Sequence, residues 1–116
     1  MTYDEFEKHW RIKTPCSSGV GDGWVPLLDK LLEELCLLGL DPSKDIAQIK
    51  EKFGGLRFYL DVQPNGAEDL IRKAEIESYS ICEVCGAPGC LMDGGWLKTL
   101  CEKHAEGRKQ YKRRTM

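Results

Sequence analysis

Cys82-Glu83-Val84-Cys85-Gly86, with Cys101-Glu102-Lys103-His104 fifteen residues further on, is the stretch that decides how the C-terminal part of this chain folds. Two cysteines two residues apart, with glycine after the second, permit a tight turn in which both sulfurs face one point. Cys101 and His104 stand one helical turn apart, which brings their side chains to the same side. Three thiols and an imidazole in this paired arrangement are the donor set of a tetrahedral Zn2+. Cys82, Cys85, Cys101 and His104 are therefore the expected ligands of one structural zinc ion. Four protein ligands close the shell, whereas catalytic zinc keeps one position for water. Cys90 is a rival donor, but its place in an apolar stretch predicts a buried or free thiol.

Between the two ligand pairs, Ala87-Pro88-Gly89 and Asp93-Gly94-Gly95 flank the short apolar pieces Cys90-Leu91-Met92 and Trp96-Leu97, so a small hairpin fits there. After His104 the residues can continue as a helix into Arg108-Lys109-Gln110-Tyr111. Knuckle, hairpin and then a helix carrying the last two ligands resembles the treble-clef zinc finger, over about residues 80–112. Some treble-clef proteins are nucleases with a catalytic histidine on the hairpin. Leu91 to Leu100 contains no histidine here, so that activity does not carry over.

Working back towards the N-terminus, Asn65 is placed to cap a helix over 67–79 with Leu70, Ile71, Ala74 and Ser78 on its inner face. Residues 46–62 read as a β-hairpin turning at Gly54-Gly55. In its second arm Leu56, Phe58, Leu60 and Val62 alternate with Arg57, Tyr59 and Asp61, so one face is apolar and the other polar. Leucines at 27, 28, 31, 32, 35 and 38 line a helix from Trp24 to Leu38 that stops at Gly39. Its Cys36 is expected simply to pack, and Asp22 stands where it can cap the helix. Gly19-Val20-Gly21-Asp22-Gly23 lacks the lysine and the preceding strand of a phosphate loop, so it reads as an ordinary loop. Tyr3, Phe6 and Trp10 suit a short amphipathic helix over 3–12. The expected fold is α+β: one small domain with a central hairpin, packed helices (1–80) and a C-terminal treble-clef-like zinc finger with a basic helix or tail (81–116), packed as one unit.

The net charge of −2 is unevenly spread. Residues 107–116 hold five cations and no acid, which leaves −7 on residues 1–106. An acidic body with a basic tail opposes broad polyanion binding while permitting local contacts. Arg108, Lys109, Tyr111, Lys112, Arg113 and Arg114 are accordingly the candidate nucleic-acid contacts, cations for phosphates and an aromatic ring for a base. On the hairpin, Lys50, Lys52, Arg57 and Tyr59 are the candidate ligand contacts, able to receive an anion or a base. No apolar run is long enough to span a membrane, and the N-terminus is acidic where a signal peptide is basic, so a cytoplasmic protein is expected.

Three strings carry a wider resemblance. Gly21-Asp22-Gly23-Trp24, Lys50-Glu51-Lys52-Phe53-Gly54-Gly55-Leu56-Arg57-Phe58-Tyr59, and Cys82-Glu83-Val84-Cys85-Gly86 with Thr99-Leu100-Cys101 are similar to those of a family of small, uncharacterised bacteriophage and prophage proteins. The resemblance implies a phage accessory protein in the cytoplasm of a bacterial host, acting against host defences. No nucleophile beside a base, phosphate loop or acid pair stands in a recognisable context, so a non-enzymatic binding module is expected. Its target would be a host protein or a small nucleotide-like ligand, with nucleic-acid binding through finger and tail as the alternative and homo-oligomerisation left open.

Overall fold

The computed structural model describes residues 1–12 and 19–111. Helix α1 spans Tyr3–Trp10, opened by a reciprocal capping box between Thr2 and Glu5. A 3-10 turn, Asp22–Trp24, leads into helix α2, Val25–Leu37, with Pro26 tolerated in its first turn. Strands β1 (Ile46–Lys52) and β2 (Gly55–Leu60) pair antiparallel, and helix α3 (Ala67–Ser78) follows. The last third forms a three-stranded sheet in the order β4-β3-β5, from Cys90–Asp93 (β3), Lys98–Leu100 (β4) and Lys109–Gln110 (β5). The described residues thus form one α+β domain of three helices and two small sheets, with a Cys/His cluster near the C-terminal end.

The core is shared by α2, α3 and the inner face of the hairpin, with α3 packed against both α2 and β2. Leu28, Leu31, Leu32 and Leu35 belong to one buried cluster with Ile49, Leu56 and Phe58, which Tyr3, Phe6, Ile71 and Ala74 complete. Ile49 opposes Phe58 across the strands, so both turn inward, while Lys50 opposes Arg57 on the outer face. Leu60 is only half buried, Val62 lies beyond β2 and is exposed, and Leu38, just past the end of α2, is 39% exposed. Helix α3 closes the free edge of β2: Ser78 Oγ accepts the Leu56 N–H at 2.9 Å and Glu75 Oε2 accepts the Phe58 N–H at 3.3 Å. A strand edge covered in this way cannot template pairing with another chain.

Four local expectations change. The hairpin turns at Phe53-Gly54, since Lys52 pairs with Gly55 and both intervening residues have positive φ, +54° and +84°. A two-residue turn with both φ positive follows the twist of the strands. Phenylalanine in that conformation costs on the order of 1 kcal/mol, a position where asparagine is normal. Gly55 is needed for another reason: a Cβ there would overlap the Tyr79 ring. Asp22 does cap a helix, but α1 and not α2, its Oδ1 accepting the Tyr3 N–H at 2.9 Å. Asn65 does not cap α3; Gly66, at φ +90°, occupies the N-cap.

The fourth change concerns the finger. No α-helix follows the last ligands among the described residues; Glu102–His104 is a single 3-10 turn. Glu106 and Gly107 then take φ of +48° and +82°, and Arg108 N–H closes on Ala105 O at 2.9 Å, reversing the chain into β5. Two successive left-handed residues stop any helix. The basic helix is therefore replaced by a short edge strand, and Lys112, Arg113 and Arg114 lie outside the described residues.

Candidate metal centre

The knuckle Cys82–Gly86 closes by a Gly86 N–H to Cys82 O bond of 2.9 Å, with Gly86 in the left-handed region at φ +83°. Strand β4 then delivers Cys101, and the 3-10 turn swings His104 back, its N–H bonded to Cys101 O at 3.1 Å. All four donor atoms lie within 4.8 Å of one another. Cys85 Sγ is 3.7 Å from Cys101 Sγ, and His104 Nδ1 is 3.7 Å from Cys82 Sγ and 3.2 Å from Cys101 Sγ. A tetrahedron with metal–sulfur bonds near 2.3 Å and metal–nitrogen bonds near 2.0 Å has edges of about 3.5–3.8 Å, which the two 3.7 Å distances match while the 3.2 Å one is slightly shorter. Cys82, Cys85, Cys101 and His104 can therefore hold a metal ion. Cys90, half buried on β3, stands outside the cluster.

The electrostatics favour bound thiolates. Burial alone would push the Cys82 thiol up, but backbone N–H donors of Cys101, Cys85 and Val84 outweigh it and bring it down to about 6. Cys85 accepts the Ala87 N–H, which lowers it, yet desolvation and the neighbouring Cys101 and Cys82 leave it raised. Like charges crowded together without a cation have this effect, and a divalent ion removes it.

The knuckle is held by the Gly21-Asp22-Gly23-Trp24 segment. Gly21 N–H donates to Glu83 Oε2 at 2.9 Å and Gly23 N–H to Glu83 O at 2.8 Å. Those amides are thus engaged by the knuckle, in keeping with an ordinary loop. A Cβ on Gly21 would collide with the Glu83 carbonyl, and one on Gly23 with Cys82 O and Gly86 N. Trp24, fully buried, donates Nε1–H to Ile81 O at 2.8 Å. On the other side, Thr99 Oγ donates to Gly54 O at 2.7 Å, and Lys98 bridges Glu51 at 3.2 Å and Glu83 at 3.6 Å. The finger is thereby joined to the helical loop and to the hairpin tip. Gly23→Ala is expected to cost about 1–3 kcal/mol, because backbone rather than a flexible side chain must move. It should also speed metal loss to a chelator, and unchanged melting and release would show that the clasp does not couple core and finger.

The outer face of the hairpin carries Lys50, Lys52, Arg57 and Tyr59 together, as alternation requires. Lys50 Nζ lies 5.7 Å from the Tyr59 ring centroid. Arg57 is the least free of the four, donating to Tyr79 Oη at 3.2 Å and to Leu56 O at 3.0 Å. Of the tail candidates, Arg108 stacks 5.2 Å from the Trp96 centroid and donates to Trp96 O at 2.7 Å. Lys109 is exposed on β5, and Tyr111 N–H extends that strand by bonding Leu91 O at 2.8 Å.

Sequence reasoning did not single out Phe53, Tyr79, Leu91 and Leu97, which with Tyr111 line a groove of about 520 Å³ between the hairpin tip and the finger sheet. The signal available in the sequence was an aromatic residue, Phe53, directly before the Gly54-Gly55 pair. Among the described residues, no helix is long and apolar enough to cross a membrane. No family model matches this chain, and no curated protein or solved structure is significantly similar to it, so its functional reading stands on its own residues.

Proposed function

We propose that this chain is a non-enzymatic binding protein of bacteriophage or prophage type, stabilised by one structural zinc ion at Cys82, Cys85, Cys101 and His104. The zinc-stabilised finger fixes one end of the molecule, and the hairpin makes the contacts. The observation that carries the reading is the closed set of four donors, which leaves zinc no open position for a substrate or water. The target is a host protein or a small nucleotide-like ligand, met by Lys50, Lys52, Arg57 and Tyr59, and a counter-defence role in the host cytoplasm follows from the phage resemblance.

Nucleic-acid binding through finger and tail is the second reading, favoured by the presence of Tyr111 and the hairpin residue Phe53 in one groove. Affinity capture from infected-host lysate, resolving bound proteins, nucleic acid and extracted small molecules together, tests the binding role. Lys52→Ala, on an exposed side chain, should reduce capture without changing stability. Capture unaffected by Lys52→Ala and lost on deleting residues 108–114 would reverse the order of the two readings.

A further inference from the structure

The hairpin and the tail, rivals as contact surfaces in the sequence, meet at one place. Thr99 pins the hairpin tip to the finger sheet through Gly54 O, and a Cβ on Gly54 would strike the Leu91 side chain. Phe53 is turned out beside this junction, 64% exposed, and Tyr111 opposite is 41% exposed. With Tyr79, Leu91 and Leu97 they form an open, apolar, aromatic-lined groove.

Cations flank the groove on both sides. Lys52 Nζ lies 5.5 Å from the Phe53 centroid, and the Arg57 guanidinium bonds Tyr79 Oη. On the other side Lys109, two residues before Tyr111, lies on the same side of the strand by alternation. The carboxylate of Glu51 is already engaged by Gly54 N–H and by Lys98, and Asp93 stands opposite Lys109 across the β3–β5 pair. Aromatic faces in the middle and positive charge at either end match an alternating chain of bases and phosphates. A duplex hides its base faces, so only an unpaired strand can use the rings.

We infer that this groove binds a segment of single-stranded nucleic acid, with bases stacked on Phe53 and Tyr111 and the flanking phosphates held by Lys52 and Arg57 on one side and Lys109 on the other. The inference rests on the second reading, nucleic-acid binding, and joins to it the hairpin end as part of the same contact surface. The left-handed Phe53 supports it: an aromatic ring kept where asparagine would suit the turn better is placed for contact and not for folding.

Fluorescence anisotropy of labelled oligothymidylate and oligouridylate with the full-length, zinc-replete chain tests it. Saturable binding is expected, with a duplex of equal length at least about tenfold weaker. Phe53→Asn and Tyr111→Ala should each weaken binding roughly 5- to 150-fold, the range that loss of one stacked base gives. Phe53→Asn should meanwhile keep or raise the thermal midpoint, which separates lost contact from lost fold. Lys109→Ala should flatten the salt dependence by about 0.7 in logarithmic slope. Absence of saturable binding, equal binding of duplex, equal competition by free mononucleotide, or wild-type affinity in both aromatic variants would each overturn the inference. With one equivalent of zinc retained, any of those results leaves the zinc-stabilised binding module standing; a metal-free folded chain is the separate failure of that proposal.

Discussion

Stripping the metal is expected to unfold residues 82–111 while the helical core with its hairpin stays folded. The finger's own buried cluster consists of Cys82, Met92, Leu100, Cys101 and Ala105, and two of those are ligands. A unit of this size cannot stabilise itself with so little apolar burial, so metal-binding free energy serves as its folding free energy. Comparable zinc sites contribute about 10–16 kcal/mol in apparent binding at neutral pH, which exceeds any other single interaction in the chain. One zinc per chain should copurify, and chelation should collapse the finger's amide resonances while those of α1, α2 and α3 remain dispersed. Cys82→Ser and His104→Ala should each lose the ion, whereas Cys90→Ala and Cys36→Ser should keep it. A folded chain well below one equivalent after metal-replete expression would sink the assignment, and metal loss in Cys90→Ala with retention in His104→Ala would show the wrong fourth ligand.

The second large effect lies in the core. Leu32 is fully buried on α2 and Phe58 is nearly so on β2, within one apolar cluster. Alanine at either site removes transfer free energy and leaves a cavity that the close-packed surroundings only partly fill, at about 2–5 kcal/mol. That is a large share of the stability expected for a domain of this size. Denaturant unfolding should show lower midpoints at nearly unchanged slope. Near-neutral effects at both positions would mean that α2 and the hairpin do not share a core. Leu37→Ala, at a side chain 88% exposed, is the matched control and should change little.

The contrast between these residues shows what was legible in advance. Leucines at helical spacing marked α2, and alternation in Leu56, Arg57, Phe58 and Tyr59 marked β2 and its two faces, because a pattern of period 3.6 or 2 directly encodes which side must leave water. The four metal donors were legible for a similar reason: paired spacing is a local geometric condition, met within each short turn before the pairs come together. Donor identity and spacing therefore named the cluster, and the structure brings those same four atoms together.

What periodicity could not state is where one element touches another. Gly21 and Gly23 read as loop glycines, yet they are needed because Cys82, Glu83 and Gly86 lie against them, some sixty residues away along the chain. Gly55 read as half of a turn, yet it makes room for Tyr79, and the turn passed to Phe53-Gly54 because Lys52 pairs with Gly55. The helix expected after His104 gave way to a strand because Glu106-Gly107 reverses the chain and β3 offers an edge to pair with. The aromatic groove belongs to this second class, since Phe53, Tyr79 and Tyr111 become neighbours only when the finger docks on the hairpin tip. The sequence by itself determined α1, α2, the hairpin strands and α3, the faces they bury and the four candidate metal donors, all set by spacing within a few residues. The tertiary structure alone decided which glycines are crowded, which backbone donors are answered and which exposed rings share a groove, because each of these depends on contacts between residues distant in the chain.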